Sequence, residues 1–169
     1  MFEWASIFDE VQRAEPASEQ DVSELRSYLC SPLTDIERSE IAVQINPFRQ
    51  STPEYTAWLP VTPTKWRLPE CDLPNDFKDF LRWSNGGWAR TGEREFGFFG
   101  IAGIRDYMLR YLFPEYLPGA VPFAFNGGGI FYAFDVRHAP EDGEFPIIAV
   151  ASGVLDIADS AFPRCDSRY

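Results

Sequence analysis

Any catalytic or cofactor chemistry in this sequence would have to be assembled from few parts. There is a single histidine, His138, three cysteines, Cys30, Cys71 and Cys165, and a glycine run, Gly127-Gly128-Gly129, behind Asn126. A histidine-based triad would have to use His138, which sits between Arg137 and Ala139-Pro140 in an expected surface loop, and no Gly-x-Ser-x-Gly elbow is present. The cysteines lie 41 and 94 positions apart, without Cys-x-x-Cys spacing. With one histidine beside them they cannot supply a tetrahedral four-ligand zinc site, and they read as small reduced hydrophobes. Phosphate loops lead from a strand into a helix, so that backbone amides and the helix dipole face the anion. Here the glycines lead into another strand, Ile130–Val136, and read as a hairpin turn. Asp135, at the end of that apolar strand, is the best single carboxylate for acid–base work. Its plainer role is to accept hydrogen bonds from the backbone or Arg137. No catalytic, cofactor-binding or metal-binding residue is therefore assigned.

Charge narrows the partners. The chain carries 26 acidic and 15 basic residues, net −11, and only two of the basic ones are lysines, Lys65 and Lys78. DNA, RNA and anionic lipid demand a basic footprint, so all three are excluded as expected partners. The aromatics at 96–99 and 123–134 lack the basic groove of a base-stacking platform and read as core. The acid is uneven: residues 1–56 hold 11 acidic and 4 basic side chains, net −7, and the remainder only −4. Such a face serves solubility, and it equally attracts a basic protein. No apolar run approaches the roughly 18–20 residues needed to span a bilayer. Met1-Phe2-Glu3-Trp4 has no signal-peptide character, so a cytoplasmic protein is expected.

The elements that would position these residues follow from periodicity. At 45% hydrophobic and 16% aromatic the chain must collapse around a core, and 169 residues suit one domain, 1–169. Trp4, Ile7, Phe8 and Val11 form one helical stripe over residues 2–11. Ser18 with Asp21 caps a helix carrying Val22, Leu25 and Leu29, and Thr34 with Glu37 caps another running to about Asn46. Ile41, Val43 and Ile45 also alternate, which leaves a strand open there. These segments make a helical N-terminal extension over 1–46. Six prolines between 47 and 74 argue against a helix or a central strand, and predict a proline-rich connection, 47–72. That connection should hold one edge strand near Tyr55–Leu59, with Trp58 and Trp66 pinning it to the core. Pro74 opens a helix with Phe77, Phe80, Leu81 and Ser84 on one face, and Asn85-Gly86-Gly87 ends it. Strands are expected at 95–100, 121–125, 130–136 and 146–151. Helices are expected at 104–112 and, from Val154, Ile157, Ala158 and Ala161, at the close. Both faces of 130–136 are apolar, which makes it a central, covered strand. Helices first and strands later, with hairpin-length connections, means α+β with an antiparallel sheet flanked by helices.

The stretch Leu73-Pro-Asn-Asp-Phe-Lys-Asp-Phe-Leu-Arg-Trp-Ser-Asn-Gly-Gly87 resembles a signature of the SUKH superfamily, the Smi/Knr-like proteins. Pro122-Phe-Ala-Phe-Asn-Gly-Gly-Gly-Ile-Phe-Tyr-Ala-Phe-Asp135 is similar to the same family's glycine-rich turn, strand and aspartate. The resemblance runs over about 73–160 and implies an α+β fold without catalytic residues or cofactors. It implies a cytoplasmic immunity protein that binds and neutralises a cognate bacterial toxin of nuclease or deaminase type, a basic protein that the acidic surface would attract. The competing readings are a regulatory or ligand-binding module of the same fold and a small hydrolase or transferase. The last would need His138 or Asp135.

Overall fold

Two capping boxes start the first long helices. In a computed structural model of the chain, which describes residues 3–43, 46 and 48–153 (Lys65 by its backbone alone), Ser18 precedes helix α2, Glu19–Cys30. Its hydroxyl accepts the Asp21 amide at 3.1 Å, and the Asp21 carboxylate accepts the Ser18 amide at 3.2 Å. Thr34 and Glu37 repeat the arrangement ahead of α3, Asp35–Ala42. Val22, Leu25, Leu29 and Ile41 are buried from these two helices, as the sequence spacing requires. Helix α3 stops at Ala42, with Val43 as its cap, short of the expected Asn46. Only Ile41 of α3 is buried, so no apolar stripe draws the helix further.

The start of the chain departs from the expected helix. Only Trp4–Ile7 is helical (α1), and Glu10–Arg13 forms strand β1, which pairs with β2, Gly87–Thr91. Neither strand was expected. A pairing partner some 80 residues away overrides the short helical stripe, because edge-strand backbone groups are satisfied by the neighbouring strand. The proline-rich connection also differs. Pro53–Ala57 is a short helix, α4, with Pro53 in its first turn, and Pro63–Lys65 is a 3-10 turn. The strand expected near Tyr55–Leu59 is replaced. Proline has no amide to lose at a helix start, so proline density does not forbid a helix there.

Helix α5, Asn75–Trp83, buries Phe77, Phe80 and Leu81, with Pro74 at its cap, one place before the expected first turn. Strand β3, Arg94–Phe98, follows β2 after a tight turn at Gly92. Helices α6, Ile101–Arg110, and α7, Phe113–Tyr116, lead to β4, Ala120–Phe125. The Asn126–Gly129 turn joins β4 to β5, Ile130–Asp135, and β6, Ile147–Ala151, completes a six-stranded sheet in the order β1-β2-β3-β4-β5-β6, antiparallel throughout. The closing helix expected from Val154 lies outside the described residues. The chain is thus α+β, with helices on both faces of an antiparallel sheet.

Alternation along β5 shows how both faces are covered. Phe131 points to the junction of α6 and α7, where Tyr111, the cap of α6, and Phe113 of α7 meet its ring edge-on at 4.6 and 5.5 Å. Phe134 points the other way, to Phe77 of α5 at 5.3 Å and Phe123 at 4.4 Å. Fully buried, Phe131 contributes roughly 1.5–3 kcal/mol. Ala17, Val22, Leu25, Leu29, Leu33 and Ile41 join the same core as the residues after 73. No helix among the described residues is long and apolar enough to cross a membrane.

Asn85-Gly86-Gly87 does more than end α5. Gly86 and Gly87 have φ of 93° and 133°, and a Cβ on Gly87 would lie 2.4 Å from the Gln12 carbonyl oxygen. The turn therefore lets β1 lie directly against the end of α5. Gly87→Ala is expected to cost roughly 2 kcal/mol or more in denaturant unfolding. Gly92→Ala, at φ 58° with nothing within 4 Å of its Cβ, should cost only about 1 kcal/mol.

Candidate functional site

The residues that looked most able to do chemistry are engaged structurally. Asp135 accepts the Arg137 backbone amide at 3.2 Å and both arms of its guanidinium, Nε at 2.7 Å and Nη2 at 2.6 Å. Those hydrogen bonds from Arg137, above all the side-chain ones, hold the Asp135 carboxyl below its ordinary value of 3.8. A carboxylate kept ionised and neutralised in this way is a poor general acid. This is the strand-end role read from the sequence. His138 is exposed in the loop that follows β5. Asn126 organises the glycine turn, its Oδ1 accepting the amides of Gly128 and Ile130, both at 2.9 Å, and strand β5 follows without a helix. Burial pushes the Cys71 thiol up to about 11, with Asp72 adding to the shift, so it stays protonated near neutral pH. Cys30 is a half-buried free thiol, and Cys165 lies outside the described residues. Among the described residues no group of three or more His, Cys, Asp or Glu is placed to hold a metal ion.

A concavity lies elsewhere. A half-open groove of about 1120 Å³ runs between α3 and α6. Ile41 and Val43 belong to one wall, Ala102 and Leu109 to the other, and Trp58, Leu112 and Tyr116 also line it. Asn85 helps set the α6 wall, because its Oδ1 accepts the Ile101 amide at 2.8 Å and so caps the helix.

One side chain ties the two walls together. Arg105 of α6 is only 2% exposed and donates to Glu37 of α3 through Nε at 2.7 Å and Nη2 at 3.0 Å. Its Nη1 donates to the carbonyls of Tyr28 at 2.8 Å and Leu29 at 3.0 Å, and Nη2 to those of Ser31 at 3.1 Å and Pro32 at 3.3 Å. Carbonyls in the last turn of a helix lack the usual intrahelical donor, and Arg105 supplies one to Leu29 and adds to the Ser31 donors already at Tyr28. Its guanidinium also lies 5.5 Å from the Tyr28 ring centre. Glu37 is shared, since it accepts the Thr34 amide at 2.7 Å in the capping box as well. The Arg105 hydrogen bonds, assisted by Thr34, hold the Glu37 carboxyl down to about 2 from 4.5, against the opposing pull of burial.

What faces a visitor is apolar and acidic. Arg105 spends its donors internally, and Arg110 is paired with Asp106 at 3.0 Å. Glu40, exposed on α3, forms no ion pair among the described residues. The sequence reading missed both Arg105 and the groove. A signal for Arg105 was present, because it falls within the stripe Ile101, Ile104, Met108 and Leu112, where an arginine must bury its head or break the pattern. Trp66 anchors the proline-rich connection as expected, packing on the core and donating to Glu115 at 2.8 Å. Trp58 instead lines the groove.

A family model described as the SMI1 / KNR4 family (SUKH-1) matches residues 64–167, more than half of the chain. The match takes in α5, α6 and the strands from β2 onward, and begins before the two motifs noted in the sequence. No curated protein matches the chain.

Arg105→Met should cost about 3–5 kcal/mol in denaturant unfolding, since it leaves the Glu37 carboxylate without its cationic partner and removes the guanidinium donors from the Leu29, Ser31 and Pro32 carbonyls. Lysine, with three donors where arginine has five, should restore only part of that loss. Because Glu37 has a folded pKa below its unfolded one, its contribution is complete above about 4.5 and drains away as pH falls toward about 2. Glu37→Gln should therefore flatten the decline of the unfolding midpoint across that window. An unchanged acid limb would contradict the pairing.

Proposed function

The chain belongs to the SMI1 / KNR4 family (SUKH-1), known for immunity proteins, and we propose that it is a non-catalytic module that binds and neutralises a cognate toxin. The observation that carries this reading is the acidic excess of α2 and α3, the second of which forms one wall of the groove while the first adds Tyr28 to its lining. Helix α2 contributes Glu19, Asp21 and Glu24 against Arg26, and α3 contributes Asp35, Glu37 and Glu40 against Arg38. A toxin that cleaves or edits nucleic acid carries a basic substrate groove. Negative charge set against that groove speeds encounter and competes with the phosphate backbone for the same cations. Occlusion of this kind needs no catalytic group on the neutralising partner. The internal engagement of Asp135 and the protonated Cys71 fit that reading.

The test is direct. Purified chain mixed with the toxin encoded beside it should form a stoichiometric complex by calorimetry and abolish the toxin's activity. The association rate should fall steeply between about 50 and about 500 mM salt, as expected for a steered encounter. Reversing Glu24, Asp35 and Glu40 together to lysine should slow association by roughly tenfold or more. His138→Ala should leave neutralisation intact. If no complex forms at either salt, the reading fails, and loss of neutralisation in His138→Ala would favour a catalytic one.

A further inference from the structure

We propose that the groove between α3 and α6 docks a cationic amphipathic helix of the protein partner, with its apolar stripe in the groove and its basic residues along the acidic rim. This rests on the protein-binding reading above and adds a site and a chemistry to it.

Size is the first argument. At about 1120 Å³ and half open, the groove lies just above the roughly 300–1,000 Å³ of small-molecule clefts and is long enough to be lined by both helices. Nor does it present the converging unpaired polar groups by which such sites orient a ligand. Among the described residues no buried side-chain nitrogen or oxygen lacks a hydrogen-bond partner. The second argument is the lining. Val43 and Tyr116 are 79% and 44% exposed, and Trp58 and Leu112 are half-buried beside them. Apolar surface gathered along one groove favours a covering partner. Two helical walls with apolar residues between them accept a third helix through anchors spaced i, i+3 or i+4, and i+7.

Charge selects among occupants. Arg105 is consumed by Glu37 and by the end of α2, and the exposed Arg110 is balanced by Asp106, so the groove presents no cation that lacks an acidic partner. Glu40 stands exposed on the wall with no ion pair among the described residues, while the other acids of α3 are matched, Asp35 by Arg38 and Glu37 by Arg105. A second copy of this chain is disfavoured on the same ground. A symmetric dimer through this face would bring the acidic wall of one protomer toward the same wall of the other.

The experiment uses the full chain and two synthetic peptides of about 18 residues with the same leucine stripe at helical spacing, one with lysine and arginine at all other positions and one with glutamate there. The cationic peptide should bind and shift the amide resonances of α3, α6 and Tyr116. The anionic one should bind roughly tenfold more weakly or worse. Ala102→Trp, which fills the groove from an exposed position on α6, and Val43→Asp should each weaken cationic-peptide binding about tenfold with little change in thermal midpoint. Should Ala102→Trp disturb folding, Val43→Asp and Glu40→Lys carry the test. The proposal is overturned if both peptides bind alike, if the groove variants bind as well as the parent, or if the shifts map elsewhere. It is also overturned if the chain dimerises and Ala102→Trp abolishes the dimer. Tight toxin binding that ignores Ala102→Trp removes this proposal and leaves the immunity reading standing. Peptide docking in the groove with no toxin complex does the reverse.

Discussion

Arg105 is the contact on which the arrangement of the helices depends. An arginine 2% exposed between packed helices is tolerable only when all its donors are met and its charge is balanced. Here the balance comes from Glu37, and the remaining donors meet four carbonyls between Tyr28 and Pro32. The polar cost of ending α2, turning at Ser31-Pro32 and starting α3 is thereby offset by one side chain on a different helix. The exposed ion pairs do not compare. Arg38–Asp35, Arg82–Glu19 and Arg110–Asp106 are exposed, and pairs of that kind contribute about 0–1 kcal/mol. Because Arg105 fixes α3 relative to α6, it also sets the width of the groove between them.

A second junction works through close backbone approach. After α5 ends, Ser84 accepts the Ala14 amide at 3.0 Å and donates to the Gly86 carbonyl at 2.6 Å. Asn85 donates its amide to the Glu15 carbonyl at 3.2 Å and caps α6 at Ile101. A Cβ on Gly100 would lie 2.4 Å from the Asn85 carbonyl oxygen. One short turn therefore holds β1, α5, β2 and α6 together. The motif that resembled the family signature is scaffold, and it positions one wall of the groove without lining it.

What could be read from the sequence was what is local. Both capping boxes, the apolar face of α5 and the Asn126–Gly129 hairpin depend on residues within a few positions of one another, and each stands where its spacing placed it. Strands β1 and β2 were not legible. Val11 is the only partly buried residue of β1, and Gly-Trp-Ala-Arg-Thr shows no clean alternation, so each strand exists through its partner. The groove is illegible for a related reason. Tyr28, Ile41, Trp58, Leu109 and Tyr116 come from five separate segments, and nothing in their individual spacing announces that they line one concavity. Trp58 shows the ambiguity well, because a tryptophan in a proline-rich stretch anchors a chain as readily as it lines a surface. Arg105 was the one hidden element with a readable cue.

The acidity and the groove are connected through the arginines. Arg105 and Arg137 meet carboxylates at home, and Arg82, Arg90 and Arg110 do the same nearer the surface. Each such pair cancels one acid with one base and leaves the excess of −11 unchanged. It removes the positive charges from circulation, however, so that the uncancelled carboxylates dominate what a neighbour senses. That excess is concentrated in residues 1–56, from which α2 and α3 are drawn. The same Glu37–Arg105 pair that holds α3 in place thus turns a potentially attractive cation inward. A partner approaching the groove meets apolar side chains framed by negative charge, and a surface of that kind discriminates by repelling acidic competitors as much as by attracting a basic one.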